Sequence, residues 1–237
     1  MDPDYSWKLL ESAAVPGNGG ELRLYQRGGH FCIRADGTEL MASHTYESEE
    51  ALATVACQCV GLRRKVRLLV GGLGMGYTLA AALRQLRADA EVVVAELVPA
   101  VVRWNRTWIG HLAGFPLDDP RVHVREGDVA RLLRNARDEY DAILLDVDNG
   151  PEGLTRVAND WLYGFAGLSS ALLALRSDGV LAVWSATPDR DFAARLVRVG
   201  FDVEEHGPRT RAVRDGSRHT IWLARPDEPS EQEQSFR

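Results

Sequence analysis

Three acidic side chains follow short runs with the patterns of strands, and they are the residues best placed by type and spacing to do chemistry. They are Glu96 after the run 92–95, Asp128 after 121–125, and Asp146 after 140–145. If these runs are parallel strands, their carboxyl ends share the edge of the sheet at which ligands bind. Carboxylates at that edge can accept hydrogen bonds, hold a cation or take a proton.

A cluster of polar groups begins at Asp146. The cluster contains Asp146, Asp148, Asn149 and Glu152, so three carboxylates fall within seven residues, which is more than a turn requires. We therefore predict that this loop faces the substrate. The alternative is an acidic surface turn, in which Asp and Asn side chains bond to their own backbone.

A glycine-rich turn lies between two apolar runs. The run 66–70 stops at the glycines, a helical Ala/Leu-rich segment follows, and Glu96 comes 20 residues after the last glycine; the glycines are Gly71, Gly72, Gly74 and Gly76. This order predicts a strand, a tight turn, a helix and a second strand. Glycine permits positive φ and the close approach of a ligand to the backbone. Glu96 is then placed to accept hydrogen bonds from ribose hydroxyls, which predicts a nucleoside-containing ligand; the alternative is a turn that only packs the helix on the strand.

The glycine spacing narrows the choice of ligand. Tyr77 stands where the third glycine of the dinucleotide-binding pattern would fall, and no Gly-Lys-Ser/Thr follows, so NAD and a phosphate-binding P-loop are disfavoured. The spacing resembles the turn of class I S-adenosylmethionine-dependent methyltransferases and of the related spermidine synthases. The resemblance implies that Gly72, Gly74, Gly76, Glu96 and Asp146 surround the cofactor. It also implies that Asp128, with Val129 beside it, accepts the adenine amino group, whereas the alternative for Asp128 is a helix N-cap; both roles can hold at once.

The order of elements predicts an α/β fold: a class I methyltransferase (Rossmann-like) seven-stranded sheet with a small N-terminal β-hairpin domain. Alternating polar and apolar residues with hairpin turns predict a β-meander in 1–46. A helix from Glu47 leads to the glycine turn, and strands alternate with helices as far as 225. This order resembles the spermidine synthase family over about residues 21–225. The polar segment 226–237 has no periodicity and is predicted to be a disordered tail.

Composition restricts the classes of function. The chain has 237 residues, a net charge of −6 and no basic stripe, which disfavours nucleic acid as a partner. Its three cysteines and six histidines lack metal-ligand spacing, so no metal site is predicted. No apolar run approaches the length of a membrane span, and no signal peptide is evident, so we expect a cytoplasmic protein with no membrane partner. Related enzymes suggest a homodimer.

The departures from the spermidine synthase pattern decide the predicted reaction. That family carries Gly-Gly-Gly-Asp-Gly-Gly in the turn and Asp-x-x-Asp-Pro after the fourth strand. The first motif's Asp falls on Gly74; the second motif's leading Asp is Asp146, but its second Asp falls on Asn149. A carboxylate in the turn would repel the carboxylate of intact S-adenosylmethionine by about 4 kcal/mol at 4 Å and an effective dielectric near 20. Its absence at Gly74 therefore favours the intact cofactor.

We accordingly predict an S-adenosylmethionine-dependent methyltransferase that acts on a small molecule, with an amine as the first candidate. Asp146 or Asp148 would take the proton of the amine. Tyr77, Trp161 and Tyr163 would line the acceptor pocket, although core packing explains each of them equally well. Two alternatives stay open. One is polyamine aminopropyl transfer from decarboxylated S-adenosylmethionine, and the other is a catalytically silent relative that binds a nucleoside.

Overall fold

A computed structural model describes residues 6–17, 19–61, 63–147, 161–186, 188–207 and 219–227. Within these residues the chain forms a four-stranded sheet and a seven-stranded sheet. No helix in the described ranges is long and apolar enough to cross a membrane. Three predicted site residues, Asp148, Asn149 and Glu152, lie outside the described residues, and their roles stay predictions.

The N-terminal sheet is an antiparallel meander with four strands in chain order. Its strands are β1 (Lys8–Ala14), β2 (Glu21–Arg27), β3 (His30–Ala35) and β4 (Thr38–Ala42). Strand β1 was not predicted as a strand, because residues 1–20 show little pattern and the alternation within the predicted meander begins at Glu21. The register of β1 against β2 shifts between Leu9 and Glu11, so its buried and exposed residues do not alternate regularly. A bulge removes the period of two by which a strand is recognised in a sequence.

The helix α1 (Glu47–Val60) leads from this sheet to the larger one. The first half of the larger domain then contains β5 (Arg67–Gly71), α2 (Tyr77–Gln85), β6 (Glu91–Glu96), α3 (Pro99–Thr107) and β7 (Val122–Glu126). The second half contains α4 (Val129–Asn135), β8 (Tyr140–Leu145), α5 (Phe165–Ala174), β9 (Leu175–Ser185), α6 (Arg190–Val199), β10 (Phe201–His206) and β11 (Thr220–Pro226). The structure confirms the predicted fold class.

The strand order of the large sheet is β10-β11-β9-β8-β5-β6-β7. Strands β5 to β9 are parallel to one another, and β11 is antiparallel to both β9 and β10. The chain first builds outward from β5 to β7 and then returns to the other side of β5 with β8. The strand order therefore reverses between β5 and β8, and a crevice at the carboxyl ends of these two strands is the expected ligand site.

Two hydrophobic clusters cover the two faces of the large sheet. The first joins Leu24 and Ile33 of the N-terminal sheet to Leu52, Leu68 and Trp104 of the larger domain. The second packs α5 and α6 on the opposite face and includes Ile143, Leu168, Phe192 and Trp222. All six residues of β8 are buried, as expected for a central parallel strand. Because the first cluster contains residues of both sheets, the small sheet shares its core with the larger domain.

Two boundaries differ from the prediction. The composition of residues 176–179 predicts a turn before a strand that begins at Val180, but β9 begins at Leu175 and includes these residues. The predicted tail began at Pro226, but Pro226 ends β11 and the N–H of Asp227 donates to the carbonyl of Gly200 at 2.8 Å. Residues 228–237 of that tail lie outside the described residues.

The end of β5 approaches the end of β8 more closely than any side chain would allow. Gly72 has a φ of +90°, and a Cβ atom at this position would lie 2.2 Å from the carbonyl oxygen of Asp146. The N–H of Asp146 in turn donates to the carbonyl of Gly71 at 2.9 Å. The neighbouring atoms are backbone, so they cannot rotate away as a side chain would.

We predict that Gly72→Ala destabilises the fold by about 2 kcal/mol more than Gly37→Ala, because overpacking against fixed atoms costs about 1–3 kcal/mol. Gly37 is a matched control: its φ is +88°, but a Cβ there would meet nothing within 4 Å. The two variants share the strain of positive φ and differ only in the clash. Urea unfolding of both variants measures the difference in their free energies of unfolding. Equal losses of unfolding free energy would show that the backbone at Asp146 can move away from the added Cβ atom.

Candidate active site

A cavity lies at the carboxyl ends of β5, β6 and β8, beneath the N-terminal sheet. Its lining combines the glycine turn, the acidic strand ends and apolar residues of the small sheet. The residues that face it include Leu22, Ile33, Met41, Glu49, Gly72, Gly74, Glu96, Val98, Asp128, Val129, Asp146 and Trp184. The structure therefore brings together six of the seven residues predicted to surround the cofactor; Gly76 is not in the lining.

Protein atoms fill the space next to the glycines of the turn. A Cβ at Gly74 would lie 2.7 Å from the sulfur of Met41, and one at Gly76 would lie 3.0 Å from a ring carbon of Pro116. Both glycines have positive φ, as the sequence predicted. The side-chain amide of Asn105 holds the turn by donating to the carbonyl of Gly74 at 2.8 Å. The need for glycine at these positions thus comes from backbone conformation and tight packing inside the protein.

The carboxylate of Glu96 is fixed by two backbone N–H groups. One oxygen accepts from Leu73 at 2.9 Å and the other accepts from Val98 at 2.8 Å. The residue is only 7 % exposed, and it lines the cavity. These bonds link the end of β6 to the glycine turn, so Glu96 is rigidly placed where the ribose contact was predicted. That contact stays a prediction.

Asp128 caps helix α4 at the same edge of the sheet. One of its carboxylate oxygens accepts from the N–H of Ala130 at 2.8 Å, while the residue itself is exposed and lines the cavity. Its neighbour Val129 is buried and lines the cavity too. The structure shows the capping role; the adenine contact stays a prediction, and the two are compatible because a carboxylate has about four acceptor positions.

Asp146 shares its corner of the cavity with a carboxylate that the sequence analysis did not select. The hydroxyl of Thr78, on α2, donates to Asp146 at 2.6 Å and also lies 3.4 Å from the backbone carbonyl of Glu49. The side chain of Glu49 accepts from the hydroxyl of Ser48 at 2.6 Å. Glu49 is only 8 % exposed. The hydroxyl of Thr78 therefore links the carboxylate of the half-buried Asp146 to the backbone of α1 at the buried residue Glu49.

Both carboxylates hold protons more tightly than usual. Burial, and next the charge of Asp146, raise the pKa of Glu49 to about 7. Burial raises the pKa of Asp146 to about 6, against the opposing effect of the hydrogen bond from Thr78. Two acids in one desolvated space cannot easily ionise together, so their titrations are linked. Near neutral pH the pair therefore holds about one proton between two carboxylates.

The three aromatic residues predicted to line an acceptor pocket do not line this cavity. Tyr77 stacks on Tyr46, with ring centroids 4.7 Å apart, and its hydroxyl donates to the carbonyl of Ser43. The guanidinium carbon of Arg134 lies over Trp161, 3.7 Å from the centroid of the indole ring. The hydroxyl of Tyr163 donates to the carbonyl of Val147 at 3.1 Å. These contacts fit the packing alternative, and Tyr163 also supports the backbone directly after Asp146.

The charge of the cavity is one-sided. Four carboxylates face it, those of Glu49, Glu96, Asp128 and Asp146, and its described lining contains no Lys, Arg or His. Carboxylates that face one partly desolvated space oppose each other's ionisation. A site of this kind matches a positively charged ligand, which would complete the charge balance.

Sequence reasoning missed Glu49, Thr78 and Met41. Glu49 did carry a detectable pattern: it precedes Leu52, Ala53 and Ala56 by three, four and seven residues, and all of these are buried. An acidic residue on the apolar face of a helix is unusual and marks a candidate site. Thr78 and Met41 carry no comparable pattern, because only the packing of the two sheets brings them to the cavity.

The strand order, the glycine turn and the acidic strand ends define a protein of the S-adenosylmethionine-dependent methyltransferase-like fold. The family model of the spermine/spermidine synthase domain matches residues 46–189, which is more than half of the chain. The chain belongs to this family. It is 30% identical over 189 residues to the polyamine aminopropyltransferase of Mycobacterium tuberculosis and 32% identical over 146 residues to that of Bacillus mycoides.

These alignments cover 78% of this chain with the mycobacterial relative and 61% with the Bacillus relative. The chain spans only 32% and 49% of the length of those two proteins. Among solved structures, spermidine synthase from Thermotoga maritima superposes with a TM-score of 0.72 over 94% of this chain and 74% of its own, at 17% identity. A spermidine synthase in complex with the transition state analogue AdoDATO matches equally well, with a TM-score of 0.72.

The prediction of methyl transfer from intact S-adenosylmethionine is wrong. The matching family is that of spermine/spermidine synthases, and the relatives are named polyamine aminopropyltransferases. The prediction rested on the absence of one carboxylate at Gly74. A carboxylate from another element, that of Glu49, faces the same cavity, so the absence of one at Gly74 does not leave the cavity without acids.

We predict that Glu49→Gln becomes increasingly stabilising relative to the wild type between pH 5 and pH 8. In the unfolded chain Glu49 loses its proton near its ordinary pKa of 4.5, whereas in the folded chain it does so near 7. Wild-type stability is therefore lost as the pH rises through this window, and glutamine does not titrate. The difference in unfolding free energy should grow by about 2 kcal/mol. Urea unfolding across the pH range measures it.

Glu47→Gln is the matched control for this measurement. Glu47 lies in the same first turn of α1, but it is exposed. Its effect on unfolding free energy should vary little between pH 5 and pH 8. A Glu49→Gln difference that is equally flat would show that Glu49 ionises normally in the folded protein.

Proposed function

We propose that this chain transfers an aminopropyl group from decarboxylated S-adenosylmethionine to a small amine of the polyamine class. The observation that carries the proposal is the group of four carboxylates facing one cavity at the point where the strand order reverses. Both proposed substrates are cations: the donor carries a sulfonium and a primary ammonium, and the acceptor carries ammonium groups. Carboxylates favour all of these charges.

The relatives support the same reaction. The curated relatives are named for aminopropyl transfer to polyamines, and a spermidine synthase of the same fold binds the transition state analogue AdoDATO. The residues present also fit a nucleoside. Glu96 is rigidly placed by its two backbone bonds, and Asp128 stands at the same sheet edge with Val129 beside it.

The donor supplies an aminopropyl group activated by its bond to a sulfonium sulfur. In the transfer, the neutral nitrogen of the acceptor forms a bond to the methylene carbon. The carbon–sulfur bond breaks, and its electron pair stays on sulfur as a neutral thioether, 5′-methylthioadenosine. The extra proton of the nitrogen passes to a carboxylate and then to water. Asp146 is the described residue placed to accept it, since its raised pKa of about 6 makes it a better base than an ordinary Asp.

We expect the purified chain to form 5′-methylthioadenosine and an aminopropylated amine when it receives the decarboxylated donor and a panel of linear diamines and triamines. Intact S-adenosylmethionine with the same amines should give no methylated product, because its carboxylate would enter an acidic cavity. Mass spectrometry of both products measures the reaction. Methylated amine without aminopropylated amine would overturn the proposal, and so would no transfer to any amine in the panel.

Asp146→Asn should lower kcat by about 10²–10⁴-fold, the range expected when a positioned proton acceptor is removed. The side chain keeps its size and can still accept from Thr78. Glu47→Gln is the control and should retain wild-type kcat, since Glu47 is exposed and is not in the cavity lining. If Asp146→Asn stays within threefold of the wild type, another group takes the proton, with Asp148 the remaining sequence prediction.

A further inference from the structure

We propose that Met41 of the N-terminal sheet determines which donor the cavity accepts, because its apolar side chain covers the start of α2. The identity of the donor rests on the proposed function. Intact and decarboxylated S-adenosylmethionine differ only in the carboxylate on the methionine chain. Met41 is thus a specificity-determining residue that acts against this carboxylate.

A donor in the cavity crosses the glycine turn. Glu96 ends β6 and Asp146 follows β8, and these two strands flank β5, which leads into the turn. Neighbouring strands are about 4.8 Å apart, so the ends of β6 and β8 are separated by about 10 Å. A donor whose ribose lies at Glu96 and whose reacting carbon lies near Asp146 therefore passes Gly74, which lines the cavity.

The start of α2 is the place near the turn that would attract a carboxylate. The first N–H groups of a helix have no acceptor within the helix, and they carry the positive end of its dipole. An accessible helix start of this kind binds anions such as carboxylates. Helix α2 begins at Tyr77, directly after the glycine turn. The methionine chain of an intact donor would therefore bring its carboxylate towards this helix start.

The thioether of Met41 fills the space beside the turn. A Cβ atom at Gly74 would lie 2.7 Å from the sulfur of Met41 and 2.8 Å from its methyl carbon. In the part of the chain that the structure describes, no other atom outside residues 73–75 lies within 4 Å of that point. The space between the cavity and the start of α2 is therefore closed beside Gly74 by one apolar side chain.

Met41 belongs to an apolar wall of the cavity. It pairs with Ile33 of β3, and both residues line the cavity. The side chains that the described N-terminal sheet and its turns contribute to the lining are all apolar; they are those of Val15, Leu22, Ile33, Ala35, Leu40 and Met41. The four carboxylates of the lining come from later in the chain. A carboxylate that lies against this wall therefore finds no side-chain hydrogen-bond donor in it.

The intact donor is excluded because its carboxylate would lose water without gaining a hydrogen bond. Burial of an ionised carboxylate is costly unless it is paired or hydrogen-bonded, and the thioether of Met41 has no hydrogen to donate. The four acids of the cavity oppose the same carboxylate by charge. The decarboxylated donor instead places a methylene group against Met41, and burial of this apolar surface is favourable.

Isothermal titration calorimetry of the whole chain measures this selection. The ligands are decarboxylated S-adenosylmethionine, intact S-adenosylmethionine and 5′-methylthioadenosine, which lacks the methionine chain. The quantity compared is the ratio of the dissociation constants of the intact and the decarboxylated donor. The wild type should bind the decarboxylated donor at least about tenfold more tightly. Binding of 5′-methylthioadenosine shows whether a variant is folded.

Met41→Gln and Met41→Leu separate the polarity of this side chain from its volume. Glutamine brings an amide N–H that can donate to the carboxylate, so the ratio should fall at least about tenfold. Leucine is apolar and of similar volume, so the ratio should stay within about threefold of the wild-type value. Met41→Ala opens the space beside Gly74 and should also lower the ratio, which provides a second variant if Met41→Gln does not fold.

Leu40→Gln is the matched control. Leu40 is the neighbour of Met41 in β4 and lines the cavity, but none of its atoms lies within 4 Å of a Cβ at Gly74. Its ratio should stay within about threefold of the wild-type value, since its amide is not beside the turn. An equal fall in Leu40→Gln and Met41→Gln would overturn the assignment to Met41. An unchanged ratio in Met41→Gln, or in Met41→Ala where Met41→Gln does not fold, would overturn it too.

The wild type alone provides a further test. Equal affinity of the wild type for the two donors would overturn the role of Met41 together with the donor of the proposed function. Preference of the wild type for the decarboxylated donor, with an unchanged ratio in the variants of Met41, would overturn only the role of Met41. A chain that shows the expected ratios but transfers no aminopropyl group would refute the proposed function and leave the role of Met41 intact.

Discussion

The close contact between the ends of β5 and β8 is the constraint on which the rest of the site depends. Only a glycine at position 72 lets the turn pass the carbonyl of Asp146, and the bond from Asp146 to Gly71 fixes the same junction. This junction lies where the strand order reverses. It sets the direction of the turn, and it places Asp146 against α2 and α1. The crevice and its acid therefore result from one backbone contact.

The acidic corner of the cavity shows how stability and binding oppose each other in this protein. Burial that raises the pKa of Glu49 to about 7 is unfavourable for folding near neutral pH. The rest of the fold offsets the cost through two extensive hydrophobic clusters, one of which unites both sheets. Two carboxylates that oppose each other's ionisation are stabilised when a cation lies beside them. Their environment, rather than their residue types, provides that property.

The sequence predicted the parts of the site that belong to one continuous segment. The glycine turn with Glu96 is a local pattern, since strand, turn, helix and strand follow one another within about thirty residues. Strand β1 was missed because a bulge interrupts its alternation. Tyr77, Trp161 and Tyr163 were assigned to a pocket because they are aromatic, but aromatic residues also pack cores, and the chain provides no local distinction. The reaction was predicted wrongly because the charge of the whole cavity was inferred from a single position, Gly74.

The sequence alone determined the fold class, the glycine turn and the acids at the ends of the strands, because periodicity and spacing within a segment fix the direction of its side chains. Only the tertiary structure decided which distant residues share the cavity. Glu49 and Asp146 are almost a hundred residues apart, and they meet because α1 packs against the large sheet next to α2. Electrostatic interactions depend on distance in space and on burial, and neither is a property of a position in the sequence.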